Sequence, residues 1–346
     1  RNAIHAAVTS LDVDDYLERQ ENLITDLSLS AQHLSPFTRG EHLVSNPNVL
    51  TIQNGSADPV VKVNVEANIA LVREHTTDYQ PDFIMFSELS TTQYFAGVLT
   101  AQPFDIAEPI DGPTVAAFSD LARELHSYIL VPMWEKGKIK GEYYNSVVVL
   151  DREGELVQGT LPDGRRVRAY RKSHIPNQWN NSPEAPGMNE AYYFRPGPGL
   201  ATFETEYGRI GILICYERSF PEAWRTHAVS GCKIVFLPTA AHWSVRAETW
   251  PIELRASAMQ NGIFICASNK GGAEITERER VFTGGSMTID PFGNVLAEAP
   301  YNVGPEAIKA TLEIDQVEQW GKRYTFFRDR RPELYLPIVD IDRDAY

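Results

Sequence analysis

Between Val49 and about residue 315 the chain alternates short apolar runs with stretches of helical periodicity, and this alternation restricts it to a layered fold of sheets and helices. Phe83-Ile84-Met85-Phe86, Ile234 to Leu237 and Ile263 to Ala267 are short, apolar and rich in β-branched or aromatic residues, as buried strands are. Tyr128 to Trp134, Tyr144 to Leu150, Val167 to Lys172 and Ile210 to Ile214 read the same way. Val65, Ile69 and Val72 recur at helical spacing. Asp111-Gly112-Pro113 opens a helix that carries Val115, Phe118, Leu121 and Leu125 on one face, and Pro221 opens another over Glu222 to Val229. Residues 176 to 199 hold so many prolines and glycines that they read as a long loop, and long loops inside a domain are often functional. Residues 1 to 46 are polar, with a mild helical pattern from Val13 to Leu27, and read as an N-terminal extension. No linker, repeat or low-complexity tract follows. The expectation is one domain over residues 47 to 315 and a C-terminal arm over 316 to 346.

A chain of 346 residues buries a sizeable core without a disulfide or metal staple. Its formal net charge of −14 makes it a poor ligand for nucleic-acid phosphates or anionic membrane surfaces, so neither partner is expected. The odd set Cys215, Cys232 and Cys266 contains no CxxC pair, which suits a reducing compartment and points to the cytoplasm. No apolar run approaches the roughly 20 residues of a membrane span. Arg1 to His5 lack the apolar core of a signal peptide, although the chain begins without Met. The eight histidines form no ligand-spaced cluster and HExxH is absent, so no metal is expected. P-loop, GxGxxG and GxSxG patterns are absent too, and no cofactor is implied.

Three residues stand out chemically. Cys215 sits at a strand-to-helix junction, where a side chain can be exposed and nearby amides can stabilise an anion. On the turn alone, a nucleophile and a small buried hydrophobe are equally good readings; for Cys232 and Cys266, in or beside apolar strands, the buried reading wins. Glu88 closes the run Phe83 to Phe86, and a poorly solvated carboxylate suits general base or acid work, though a cap or surface ion pair would look the same. Lys172 follows Arg165, Arg166, Arg168 and Arg171, which otherwise read as a solvated basic stretch.

Taken together, Phe86-Ser87-Glu88-Leu89, Tyr170-Arg171-Lys172-Ser173-His174-Ile175-Pro176 and Cys215-Tyr216-Glu217-Arg218-Ser219-Phe220-Pro221-Glu222 resemble the nitrilase superfamily of carbon–nitrogen hydrolases. The resemblance runs from about residue 48 to 340. It extends to Glu190, shortly before Tyr193-Phe194-Arg195-Pro196-Gly197, which matches the family's second glutamate. It implies an α+β fold, a four-layer αββα sandwich that pairs into a homodimer or a larger homo-oligomer with the C-terminal arm at the interface. It also implies a mechanism without metal or cofactor. Cys215 would be the nucleophile and Glu88 the general base and later acid. Lys172 and the backbone N–H of Tyr216 would hold the oxyanion, and Glu190 would position substrate or assist proton transfer.

Within the family, Phe327-Arg328-Asp329-Arg330-Arg331-Pro332-Glu333-Leu334-Tyr335 looks like the tail of enzymes that hydrolyse N-carbamoyl compounds. Arg218 matches the arginine with which the N-carbamoyl amino acid branch binds a substrate carboxylate, and it favours an anionic substrate such as N-carbamoyl-β-alanine. An ion pair with Glu217, Glu222 or another acid competes with that role. Ser219 stands where enzymes for N-carbamoyl-D-amino acids carry a second arginine, which argues against an α-amino acid substrate. His174 is a candidate substrate contact or a structural histidine. The alternatives are an ω-amidase or aliphatic amidase, an N-carbamoylputrescine amidase and, from another class, a non-catalytic assembly protein on the same scaffold.

Overall fold

The computed structural model describes residues 45–97, 99–178, 188–242, 244–276 and 279–339. The helical pattern from Val13 to Leu27 and the prolines at 183 and 186 lie outside these residues. The apolar runs become the strands of two sheets. In the first, of six strands, Glu306–Thr311, Asn48–Gln53, Phe83–Met85, Tyr128–Lys136, Tyr143–Leu150 and Tyr170–Arg171 lie side by side in that order. In the second, of eight, the central strands are Gly208–Ile212, Ile234–Thr239 and Phe264–Asn269, in parallel register.

Each sheet has two apolar faces, which is why its strands read as continuous apolar runs instead of alternating ones. The inner faces meet in one core, where Val49, Phe83, Met85, Leu130, Val147 and Val149 pack against Ile210, Ile212, Ile234, Phe236 and Phe264. Helices Val61–His75 and Pro113–Leu125 cover the outside of the first sheet through Val65, Val72, Val115, Phe118 and Leu121. Helices Pro221–Val229 and Ser244–Asn261 cover the second through Trp224, Trp250, Leu254 and Ala258. The result is the four-layer αββα sandwich. Among the described residues no helix is long and apolar enough to cross a membrane.

Several expectations need correction. Residues 176 to 199 are not all loop: a short strand, Met188–Asn189, and a helical turn, Glu190–Tyr193, interrupt them. Val167 to Lys172 is not one strand but two fragments, Arg166–Val167 in the second sheet and Tyr170–Arg171 in the first. Helix Ser244–Asn261 escaped the sequence reading because Pro251 lies inside it and its apolar residues keep no clean helical period.

Phe83 joins the two sheets. Its ring is fully buried and lies 5.1 Å from Tyr128, 5.4 Å from Tyr207 and 5.3 Å from Phe236. Phe83→Ala should lower unfolding stability by about 3–5 kcal/mol through lost contacts and the residual cavity, as measured by urea denaturation.

Candidate active site

Three strand ends and one helical turn bring the predicted residues together. Glu88 lies just beyond Phe83–Met85, and Lys172 directly follows Tyr170–Arg171, both in the first sheet. Cys215 follows Gly208–Ile212 of the second sheet and opens the short 3-10 turn Cys215–Ser219. Glu190 begins the turn Glu190–Tyr193.

Lys172 is the hub. Its Nζ donates to Glu88 Oε1 at 2.8 Å and to Glu190 Oε2 at 2.6 Å, and all three side chains are buried. Glu88 also accepts from Asn145 Nδ2 at 2.7 Å and from the Ala240 backbone N–H at 3.1 Å. Its own N–H donates to Thr239 O at 3.3 Å, so Glu88 is bonded to both sheets. Glu190 accepts further from Tyr94 Oη at 3.1 Å.

One cation faces two buried carboxylates, and the charges settle accordingly. Burial opposes the Lys172 ammonium, but Glu190 and Glu88 outweigh it and hold its pKa above the ordinary lysine value. Burial pushes Glu190 up to about 7 against the pull of Lys172, and the Glu88 charge adds to the rise. Tyr94 is raised well above its usual value by burial and by Glu190, so it stays a donor. The half-buried Cys215 thiol is raised to about 12 by desolvation and by Glu88, while Lys172 and Arg218 pull the other way. The resting group is therefore a thiol and needs a base to become a nucleophile.

Local backbone aims these groups. Leu89 and Cys215 are non-glycine residues with φ of 49° and 50°. Left-handed conformations of this kind cost about 1–3 kcal/mol each and persist only when the surroundings fix them. At Leu89 the fixing comes from Asn54, whose Oδ1 accepts from Ser87 N at 2.8 Å, and from Asn68, which donates to Ser90 O at 3.1 Å. At Cys215 it comes from Glu217. Lys172 is held through its own backbone: its N–H donates to Asn145 O at 2.9 Å, and its carbonyl accepts from Gly197 N at 2.8 Å. A Cβ on Gly197 would stand 2.0 Å from Arg171 O, which accounts for the glycine of the Pro196-Gly197 pair.

Glu217 is the residue that sequence reasoning missed, having weighed it only as a partner for Arg218. Its fully buried carboxylate accepts from Ile214 N at 2.8 Å, Ser173 N at 2.8 Å, His174 N at 3.3 Å and Tyr170 Oη at 2.7 Å. It ties the turn bearing Cys215 to the segment after Lys172. The available signal was an acid two residues beyond the start of a tight turn, where it can reach back to a free N–H. Asn145, Tyr94 and the Ala240 N–H carried no comparable signal.

The two candidates for substrate contact are placed differently. Arg218 is buried, with Nη1 2.8 Å from Cys215 O and 3.8 Å from Cys215 Sγ, and its Nε lies 3.2 Å from Glu253 Oε2. His174 is partly exposed, stacks on Phe220 at 4.1 Å, and has Nδ1 3.5 Å from Glu217 Oε1. Cys232 and Cys266 are buried in the core, as expected. Among the described residues no group of three His, Cys, Asp or Glu could hold a metal ion.

The family model for carbon–nitrogen hydrolases matches residues 16–322. The chain belongs to this family. It is 32% identical over 308 residues to an N-carbamoylputrescine amidase of Arabidopsis thaliana, covering 85% of this chain and 95% of that protein. A citrullinase of Francisella tularensis is 30% identical over 265 residues, covering 74% and 86%. A solved carbon–nitrogen hydrolase from Helicobacter pylori has the same fold, with a TM-score of 0.75 at 24% identity over 85% of this chain and 99% of that one. The chain is thus a nitrilase-superfamily hydrolase of carbon–nitrogen bonds other than peptide bonds, an amidohydrolase taking small amide or ureido substrates.

Two outcomes test the site. Glu217→Gln keeps the volume but presents a donor to a ring of donors. It should cost about 2 kcal/mol or more in stability and lower kcat about ten-fold or more with less change in KM, read by urea denaturation and steady-state kinetics. Glu190 has its folded pKa raised from 4.5 to about 7, so its contribution is fully present below pH 4.5 and lost as pH rises to about 7. Glu190→Gln should therefore gain stability relative to the parent between pH 5 and pH 8, and a constant difference across that range would contradict the assignment.

Proposed function

We propose that this hydrolase cleaves N-carbamoyl (ureido) compounds bearing a carboxylate, such as N-carbamoyl-β-alanine, by covalent catalysis from Cys215. One observation carries the substrate class: the Arg218 guanidinium reaches to 3.8 Å from Sγ. A planar fork at that position suits bidentate pairing with a carboxylate. The ureido half is supported by the relatives, one named for carbamoylputrescine and one for citrulline, which both end in that group.

In the proposed reaction, Glu88 takes the thiol proton as Sγ attacks the ureido carbonyl. The oxygen becomes an oxyanion held by the Lys172 ammonium and the Tyr216 N–H. As the tetrahedral intermediate collapses, Glu88 returns its proton to the departing nitrogen, and ammonia leaves a thiol-linked carbamoyl enzyme. Glu88 then deprotonates a water that attacks the same carbon. The C–S bond breaks, the thiol is re-protonated, and the released carbamate decays to amine and carbon dioxide. Glu190, neutral more readily than an ordinary carboxyl, accepts from Lys172 and Tyr94 and keeps the ammonium aimed. His174, stacked on Phe220 beside this segment, contacts the substrate.

Residues 47–315 act as the hydrolase domain of a cytoplasmic homodimer or larger homo-oligomer that needs no cofactor. The arm over 316–346 lies at the interface. Its exposed Phe326, Leu334, Tyr335 and Ile338 support that placement.

A second reading has its own support. Glu253 is ion-paired with Arg218 and offsets its charge, which suits an amine-ended substrate such as N-carbamoylputrescine. Ammonia release from N-carbamoyl-β-alanine, N-carbamoylputrescine, an N-carbamoyl-α-amino acid and a simple ω-amide separates these readings. The expected result is turnover of the carboxylate-bearing ureido compounds, with kcat/KM falling about 100-fold in Arg218→Ala and partly restored in Arg218→Lys. Turnover confined to the putrescine compound or the ω-amide removes Arg218 as selector. Cys215→Ala should fold and be inactive; a folded, active variant would overturn the covalent mechanism.

A further inference from the structure

The basic stretch beside Lys172 is largely exposed, and part of it lines a hollow. A cavity of about 230 Å³ opens on the first sheet, lined by Lys136, Lys138, Arg166, Arg168 and Arg171. At about 30 Å³ per water, that is room for roughly eight water molecules. Lys136 and Lys138 come from the end of Tyr128–Lys136 and the turn after it. The arginines come from the chain running through Arg166–Val167 to Tyr170–Arg171. Segments some 30 residues apart in sequence thus place five cations around one hollow, in a chain whose net charge is −14.

Two acids also line it, Asp111 and Glu135. Glu135 is already satisfied: Arg171 grips it with Nε at 2.9 Å and with Nη2, and Ser146 Oγ donates to it at 2.5 Å. Arg171 is held further by stacking 3.8 Å from the Tyr144 ring. Arg166 is oriented by Thr160 Oγ1 at 2.8 Å and Gln158 O at 3.2 Å, both neutral. Among the described residues Lys136, Lys138 and Arg168 have no ion-pair partner. With Arg171 and Glu135 cancelling, four cations face the single carboxylate of Asp111. A solvated face spreads like charges apart, because convergence costs repulsion unless an anion offsets it.

We propose that this cavity is a binding site for a small phosphate-bearing anion with two or more negative charges, such as a diphosphate group. Guanidinium forks from Arg166 and Arg168 match phosphate oxygens, and the two lysines add mobile charge at the rim. The site does not overlap the catalytic centre, since Lys172 points into the buried cluster with Glu88 and Glu190.

Calorimetric titration at constant ionic strength with inorganic pyrophosphate and, separately, with ADP tests this. The expected result is saturable binding of one pyrophosphate per chain, weakened about ten-fold or more in each of Lys138→Gln and Arg168→Gln. Both changes are at exposed positions outside the catalytic machinery. Equal binding of ADP assigns the site to the diphosphate alone, and tighter ADP binding assigns it to a nucleotide. Absence of saturable binding by either compound, or binding unchanged in both variants, overturns the proposal.

Discussion

The structure depends on one imbalance: a single buried ammonium holds two buried carboxylates. Removing Lys172 would leave two carboxylates inside without compensation, the kind of loss that costs about 3–5 kcal/mol. Lys172 therefore has to arrive with both Glu88 and Glu190, and everything around it serves that meeting. Tyr94 and the Ala240 N–H satisfy the carboxylate oxygens that Lys172 does not reach, and Asn145 shares Glu88 Oε1 with it. Burial raises the thiol of Cys215, the Glu88 charge adds to the rise, and the group stays protonated at rest. Lys172 is thus the structural counter-ion of the buried cluster, and in the proposed reaction it is also the cation that meets the oxyanion.

Sequence reasoning found the parts of this site that sit on regular elements. Glu88, at the end of an apolar run, and Cys215, at a strand-to-helix junction, stood out locally, but only the joint pattern with Lys172 and Glu190 and its resemblance to the family decided them. Most strands and the two helices with clean periodicity were legible from local pattern. The partners that fix the geometry were not. Asn145 lies inside a strand that reads as core, Tyr94 in an irregular segment, and Ala240 contributes only a backbone N–H. Each becomes significant through contacts that span 57 to 152 residues of chain, and local pattern carries no trace of them. Glu217 is intermediate: its position in the turn was readable, while its bonds to Ser173 and His174 were not.

Arg218 makes an ion pair and lies beside Cys215 at the same time. It is ion-paired with Glu253, as a structural arginine would be, and it also reaches the sulfur and carbonyl of Cys215. Its backbone carbonyl accepts from Trp224 Nε1 at 2.9 Å, and its guanidinium lies over Trp250. The helices covering the second sheet thus set the position of this arginine, so the outer layer of the sandwich takes part in shaping the site.

Glu88 is bonded to donors from both sheets: Asn145 and Lys172 from one, Ala240 from the other. The gap it spans is set by the side chains stacked between the sheets, Phe83 and Phe236 among them. Hydrogen bonds tolerate only a few tenths of an ångström before they weaken. The spacing of the sandwich is therefore a dimension of the site itself. Side chains that never approach a substrate act as shims, setting how closely the two halves are brought to bear on one carboxylate.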